Sequence, residues 1–525
     1  MAEIQANLGA DAIMTILPME LQTIIGKPWW WLTAIVTMYL VLAISADRTY
    51  MPWCDEAWFA TPGINLASNG TFGTPVLDET AGWGGRNLRG IHRVTYWFMP
   101  LHPVVIAGWT FIAGTSLYAV RTLSTLWGLV ALASWILIVR KLAAPDGIRP
   151  ALFMAGLLAL DFQFIWYAGE GRMDMMTEAM LSSAFASYLW LREQNLTRAI
   201  LVSQTFMMLA GMTHPISLGG FLGLLFLTLY LDWRCVRWRH AALALLPYAL
   251  GGAAWGIFIS RDPAMFWDQF YGNLTGRLSR EGSVLQSTWE QFRARFLWVY
   301  GFHPDNTGAS HLKIIIFLTY VGALAAGWAM RDFRSVRLHR AWLILCLVLF
   351  LGYSNLDKGV QDFYLVHITA PMIATLALVL DWTLKTRRAP AWAIAGVFLV
   401  LCSIQLMTTV SRIRQDAYHK RYLDAVSFLK HNTKPNELVV GSTELGWELG
   451  WKSNLVDDYR LGYLSGKKPD VIVLDKNRYQ EWIPKLKEVE PKAYLFTTGM
   501  LEHEFRPVHR NDAYIIYFRA NRANP

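Results

Sequence analysis

The stretch Trp29-Trp-Trp-Leu-Thr-Ala-Ile-Val-Thr-Met-Tyr-Leu-Val-Leu-Ala-Ile-Ser-Ala46, followed closely by Tyr50-Met-Pro-Trp-Cys-Asp-Glu-Ala-Trp-Phe59, decides how the rest of the chain is read. The first part is free of charge, and a hydrocarbon layer of about 30 Å needs roughly 20 apolar helical residues per crossing. It begins too late and too aromatic for a cleavable signal, and no small-residue cleavage site follows, so it reads as an uncleaved anchor. The second part sets two carboxylates, Asp55 and Glu56, within ten residues of the end of that anchor.

Composition extends the reading outward. Of 525 residues, 54% are hydrophobic, 14% aromatic and only 17% charged, whereas soluble domains carry about 25% charged residues. A disordered chain, a collagen and a nucleic-acid-binding arm are excluded. Cys54, Cys235, Cys346 and Cys402 lie far apart and match neither a zinc spacing nor a disulfide framework. Further runs long enough to cross are 117–139, 150–168, 174–191, 198–213, 215–231, 240–260, 313–330, 341–354, 363–384 and 390–410, which makes eleven spans in all. The run Trp97 to Ala113 contains Pro100 and Pro103 and is expected to lie along the interface.

Basic residues give the orientation and absorb most of the +9 net charge. Loops on one side hold Arg140, Lys141 and Arg149; Arg192 and Arg198; Arg234, Arg237 and Arg239; Arg331, Arg334, Arg337 and Arg340; and Lys385, Arg387 and Arg388. Short loops opposite hold only Arg172 and Lys358. Lys and Arg near span ends stay in the cytoplasm, so 1–28 is expected there, with the large loops 47–116 and 261–312 outside. The expected location is a bacterial inner membrane with a periplasmic active site. Beyond residue 410 the apolar runs shorten and charges of both signs intersperse. Val439-Val440, Val471 to Leu474 and Tyr514 to Phe518 read as strands and Tyr479 to Glu490 as a helix, so 411–525 is expected to be a soluble α/β domain outside the membrane.

With so much of the chain in lipid, polar residues at the outer face carry the information. Asp55 or Glu56 can accept the proton of an attacking hydroxyl, or can simply favour the first turn of the helix that follows. Arg172, in the turn Gly169-Glu-Gly-Arg-Met-Asp174, needs a local reason on a side that avoids arginine, and Asp174 is its natural partner. Asp55 and Asp174 could meet at one pocket and hold an acceptor or a divalent ion. A basic set (Arg86, Arg89, His92, Arg93, then Arg261, Arg277, Arg280, Arg293 and Arg295, with Lys358 and Tyr364) suits a phosphate or pyrophosphate. Each of these arginines could equally meet anionic headgroups. His102 and His214 stand in His-Pro pairs at the outer boundary.

Asp55-Glu56 after the first span, the Pro-Leu-x-Pro run from Pro100 to Gly114, Ala119-Val-Arg121-Thr-Leu-Ser124 and Gly171-Arg172-Met173-Asp174 resemble, in order and spacing, one superfamily. These are the polyprenyl-phosphate-sugar-dependent glycosyltransferases of the GT-C fold, which include protein O-mannosyltransferases and the aminoarabinose transferases of lipid A. The likeness covers roughly residues 30 to 260. It implies a polytopic α-helical GT-C membrane domain over 29–410 and an inverting transfer of a hexosyl- or pentosyl-type sugar at the outer leaflet. The donor is a polyprenyl-phosphate sugar and the acceptor a hydroxyl or amine of a cell-envelope glycan, lipid or protein. Asp55 is then the base, Glu56 its motif neighbour and Asp174 a second acid. Arg172, Arg93, His102, His214, Arg277, Arg280, Lys358 and Tyr364 are donor-phosphate candidates. A divalent ion at Asp55 and Asp174 stays open, and neither an organic cofactor nor a nucleic-acid partner is expected. One departure matters: where the aminoarabinose branch has Glu-Lys-Pro, this chain has Phe98-Met99-Pro100, and Met99 cannot bind phosphate. Two rival readings are a polysaccharide polymerase or ligase using a pyrophosphate-linked donor, and a secondary transporter or flippase with Asp161 as its intramembrane acid.

Overall fold

In the computed structural model, residues 28–82, 87–278, 283–303, 308–356, 364–452 and 454–521 are described. The expected cytoplasmic segment, apart from its last residue, and Arg86, Arg280 and Lys358 lie outside them. The anchor is helix α1, Pro28–Thr49. The first outer loop holds two helices, α2 (Cys54–Asn69) and α3 (Leu101–Ala113). Then follow α4 (Leu117–Leu142), α5 (Ile148–Leu160), α6 (Phe162–Ala168), α7 (Asp174–Leu191), α8 (Leu196–Thr213), α9 (Ser217–Asp232) and α10 (Trp238–Ile259). After short helical turns come α11 (Lys313–Ala329), α12 (Arg337–Leu356), α13 (Val366–Lys385) and α14 (Ala391–Gln415).

Every expected apolar run is therefore helical. Among the described residues eight helices are long and apolar enough to cross alone, and α5 with α6 makes a ninth if the bent pair is one span. The pair breaks by 63° because Asp161 stands at the junction and its carboxylate accepts from Gln163 N and Phe164 N at 3.1 and 2.9 Å, capping α6. Helices α7 and α8 fall short for a different reason. Both are 18 residues long but interrupted by polar side chains: α7 carries Asp174, Thr177, Glu178 and Ser182 into the protein interior, and α8 contains Arg198, Ser203 and Gln204.

Packing follows apolarity. Helix α13 is the hub, 89% of its apolar window being buried inside the protein, whereas α10 at 11% turns nearly all its side chains outward. Exposed leucines such as Leu245, Leu250 and Leu399 show where lipid replaces protein. The chain is an integral membrane protein. Cations gather in the last turns of helices on the basic side, as with Arg140 and Lys141 on α4, where they also complement the helix dipole. The expected interfacial run is α3, at 13 residues too short to span.

Past α14, residue Asp416 adopts a left-handed conformation (φ 48°) and ends that helix. Five strands, β1 (Val439–Val440), β2 (Leu455–Val456), β3 (Val471–Asp475), β4 (Phe505–Arg510) and β5 (Tyr514–Arg519), form one mixed sheet in the order β2-β1-β3-β5-β4. The two β1 pairings are parallel and those of β5 antiparallel. All three expected strands and the expected helix, Tyr479–Val489, are present; β2 and β4 are additions.

The sheet-bearing unit sits on the loop between α1 and α4. Trp58 Nε1 on α2 donates to Thr443 Oγ1 at 2.8 Å and to Asp457 at 3.2 Å. Arg478 binds Asp457, and its guanidinium stacks 4.5 Å from the Trp58 ring and 4.7 Å from that of Trp482. Backbone bonds Asp78 N to Asp457 O and Asp457 N to Val76 O complete the seam. The helix that carries Asp55 is thus clamped from above.

Candidate active site

Asp55 and Glu56 both fall in the first turn of α2, as acids near a helix start should. Neither caps it: the cap residue is Trp53, which makes no side-chain cap bond. Their side chains leave in different directions. Glu56 is sealed, receiving Arg121 Nε at 2.8 Å, Arg121 Nη2 at 2.7 Å and Gly171 N at 2.9 Å. Arg121 Nη1 also donates to the carbonyls of Asp47 and Tyr50, each at 2.8 Å, tying the end of α1 to α4. A bidentate carboxylate at zero exposure is closed to solvent and holds the two loops together. Gly171 is required for that contact: a Cβ there would come within 2.7 Å of Val120 Cγ1.

Asp55 instead meets the second acid through an arginine. Arg172 Nη1 bonds Asp55 Oδ2, and Arg172 Nε donates to Asp174 Oδ2 at 2.7 Å. The guanidinium is also stacked over the Trp53 and Phe59 rings at 4.8 and 5.4 Å. The three groups differ in access: the Asp55 side chain is 19% exposed, Arg172 3% and Asp174 1%. This places together three residues that the sequence singled out from two separate loops.

The donor set does not fit a metal. Arg172 stands between the two carboxylates, where an ion would have to sit, and among the described residues no group of three His, Cys, Asp or Glu could hold one. The charge that bridges Asp55 and Asp174 in this structure is the Arg172 guanidinium.

The phosphate candidates separate. His214 caps the end of α8 and Tyr364 precedes α13; their Nε2 and hydroxyl are 3.4 Å apart, and the Arg295 guanidinium lies 5.3 Å from the Tyr364 ring. His214 acts electrostatically on Asp174, which links this basic corner to the acid pair. His102 is buried on α3 against Gly171, and burial pushes its pKa down to about 4. It is therefore neutral near pH 7 and brings no charge to a phosphate, unlike the expectation drawn from its place in the sequence. Arg93 is exposed on the loop surface, and Arg277 lies on the helix Gly272–Leu278. Asp161, the transporter candidate, is a helix cap held inside the bundle by Gln405 Nε2 at 2.8 Å and the Tyr320 hydroxyl at 3.3 Å.

Sequence reasoning passed over two pairings. One is Glu56 with Arg121, although an arginine inside an apolar run signals by itself that a partner must exist. The other is Glu178 Oε2 with His367 Nδ1, 2.6 Å apart inside the bundle, where Trp135 Nε1 donates to the other oxygen at 2.8 Å.

No protein-family profile and no curated protein sequence matches the chain. Solved structures do. ArnT from Cupriavidus metallidurans bound to undecaprenyl phosphate aligns with TM-score 0.62 at 16% identity, covering 94% of this chain and 99% of ArnT. The same protein in the apo state gives 0.61 at 16%, covering 93% and 97%. The oligosaccharyltransferase of Archaeoglobus fulgidus in complex with Zn and sulfate gives 0.55 at 11%, covering 92% and 73%. The chain has the GT-C fold.

Proposed function

We propose that this protein is an inverting glycosyltransferase that moves a sugar from a polyprenyl-phosphate donor to a hydroxyl or amine of a cell-envelope glycan, lipid or protein. Asp55 is the general base. The observation that carries the reading is the access gradient across the Asp55–Arg172–Asp174 set: of the acids brought together there, only Asp55 meets solvent. Undecaprenyl phosphate in the ArnT structure supports the donor class.

The residues then act as follows. The acceptor O–H lies against Asp55, which takes its proton as the oxygen forms a bond to the anomeric carbon. The bond from that carbon to the phosphate oxygen breaks, and its electron pair leaves with the phosphate. Arg172 holds Asp55 aimed, with Asp174 fixing the other edge of the guanidinium. Arg295, His214 and Tyr364 form the basic corner that receives the leaving phosphate. Attack opposite the phosphate inverts the centre without a protein nucleophile. A lipid-facing groove of about 680 Å³ runs between α8, α9 and α10 and reaches Gly211, Pro215 and Ser217 beside His214, a suitable bed for the isoprenoid chain. The active end of the bundle faces the periplasm in this reading.

The test is turnover by the purified protein in detergent, without an ion gradient, on monophosphate- and pyrophosphate-linked polyprenyl sugars. Transfer from the monophosphate, lost in Asp55→Asn, supports the reading. Transfer from the pyrophosphate alone supports a polymerase or ligase instead, and a persisting rate in Asp55→Asn removes the base.

A further inference from the structure

The first two turns of α2 are held on three faces, each by a different part of the protein. Residues four apart on a helix share a face. Asp55 and Phe59 face Arg172: the carboxylate binds its Nη1, and the Phe59 ring lies 5.4 Å from its guanidinium. Glu56 and Ala60 face α4, the first bonded to Arg121 and the second packed with Val120 and Leu123. Cys54 and Trp58 form the third face and pack with Leu77 and Leu88. From there Trp58 Nε1 donates across to the sheet-bearing unit, to Thr443 Oγ1 at 2.8 Å and to Asp457 Oδ2 at 3.2 Å.

The receiving end of that third contact is rigid. Asp457 is fully buried, and its carboxylate also accepts from Thr443 N at 3.1 Å, from the Tyr479 hydroxyl at 3.0 Å, and from the Thr443 hydroxyl and Arg478. Its backbone is bonded to Val76 and Asp78 on the loop between α1 and α4. The start of α2 supplies little restraint of its own. Trp53 makes no side-chain cap bond, and Asp55 is met through one nitrogen of a guanidinium that also serves Asp174. The direction in which Asp55 leaves the helix axis is therefore set by the neighbouring faces. At an outer radius of roughly 5–6 Å, a roll of about 10° moves a side-chain tip by about 1 Å, and a misplacement of about 1 Å can cost about 10²-fold in rate.

We propose, on the reading of Asp55 as the base, that the sheet-bearing unit takes part in transfer by aiming that carboxylate, and that Trp58 is the positioning residue through its bonds to Thr443 and Asp457. Glu56 with Arg121 anchors α2 to the bundle, and Trp58 anchors it to the sheet-bearing unit. With both anchors in place the helix does not roll, and Asp55 stays aimed while Arg172 shares it with an acceptor hydroxyl. The unit thus reaches the chemistry without touching substrate.

Steady-state kinetics of the purified full chain on a monophosphate-linked polyprenyl sugar test it. Trp58→Phe keeps a ring beside Arg478 and Trp97 but removes the N–H. It should lower kcat about tenfold with KM for the donor unchanged, since no substrate contact is lost. Thr443→Val, which removes the nearer acceptor from the opposite side, should lower kcat likewise. The double variant should lose no more than the larger single, because both break the same contact. Hydrogen exchange over 54–60, read without substrate, should quicken in Trp58→Phe. Wild-type kcat in both single variants, or unchanged exchange, overturns the proposal. A raised KM with kcat intact also overturns it, Trp58 then being a binding residue. Transfer retained in Asp55→Asn removes the base and this proposal together, whereas transfer lost in Asp55→Asn but kept at the wild-type kcat in Trp58→Phe removes this proposal alone.

Discussion

Asp55 and Glu56 are neighbours in sequence, share a helical turn and each meet an arginine from another part of the chain, yet they end in opposite situations. Glu56 and Arg121 are both at zero exposure, with a two-pronged contact and additional backbone bonds on either partner. Asp55 and Arg172 meet at a rim where the carboxylate is partly wet and the guanidinium is shared with Asp174. A sealed pair with all its hydrogen bonds satisfied fixes geometry. A shared guanidinium at an accessible rim leaves its outer carboxylate able to exchange partners. Adjacent acids thus divide into one that builds the loop and one that can do chemistry, and the division is made by burial.

That contrast can be broken from either side. The largest effect expected is in transfer: Asp55→Asn should lower the rate by about 10²- to 10⁴-fold with little change in melting temperature, measured on a polyprenyl-phosphate sugar. Arg121→Met should do the reverse, costing stability of about 3–5 kcal/mol because it strands a buried carboxylate. Its readout is the yield and thermal transition of purified protein, and pairing it with Glu56→Met should recover much of the loss. Arg172→Lys keeps the charge but cannot bridge two carboxylates edge-on. It should reduce turnover roughly tenfold, with the melting temperature lowered less than by Arg121→Met.

The smallest effect concerns pH. Glu170, whose folded pKa is raised by burial and then by Glu56 to about 8, binds its proton more tightly folded than unfolded. Its contribution to stability is fully present below the ordinary carboxylate range and is lost as pH rises through about 8. Wild-type stability should therefore fall across about pH 5 to 8, and Glu170→Gln should flatten that slope in thermal melts.

How much of this was legible beforehand depends on distance along the chain. Helices α1 and α4 through α14 were visible as apolar runs, because an amphipathic or lipid-facing helix writes its periodicity locally. The bend at Asp161 was not visible, since the same run 150–168 reads as one continuous span until the carboxylate is seen capping α6. Arg172 with Asp174 could be paired by eye, being two residues apart. Joining Asp55 to them required a contact across 117 positions. Arg295 appeared only as one loop arginine among several, and its place over Tyr364 comes from a fold of the 261–312 connection that no local pattern encodes. His102 stands beside a proline at a boundary, a place that fits a structural group as well as a phosphate ligand, and the fold buries it with its pKa pushed down to about 4.

By itself the sequence determined that the chain lives in lipid, which segments are helical, that an α/β unit follows the last membrane helix, and which short polar motifs interrupt the apolar runs. Those properties rest on hydrophobicity and on periodicities of a few residues. Only the tertiary structure decided which of two adjacent carboxylates is sealed, that the Arg172 guanidinium joins Asp55 to Asp174, and that the sheet-bearing unit clamps the helix beneath it. Those outcomes depend on burial and on pairing between distant segments, and both exist only once the helices have packed.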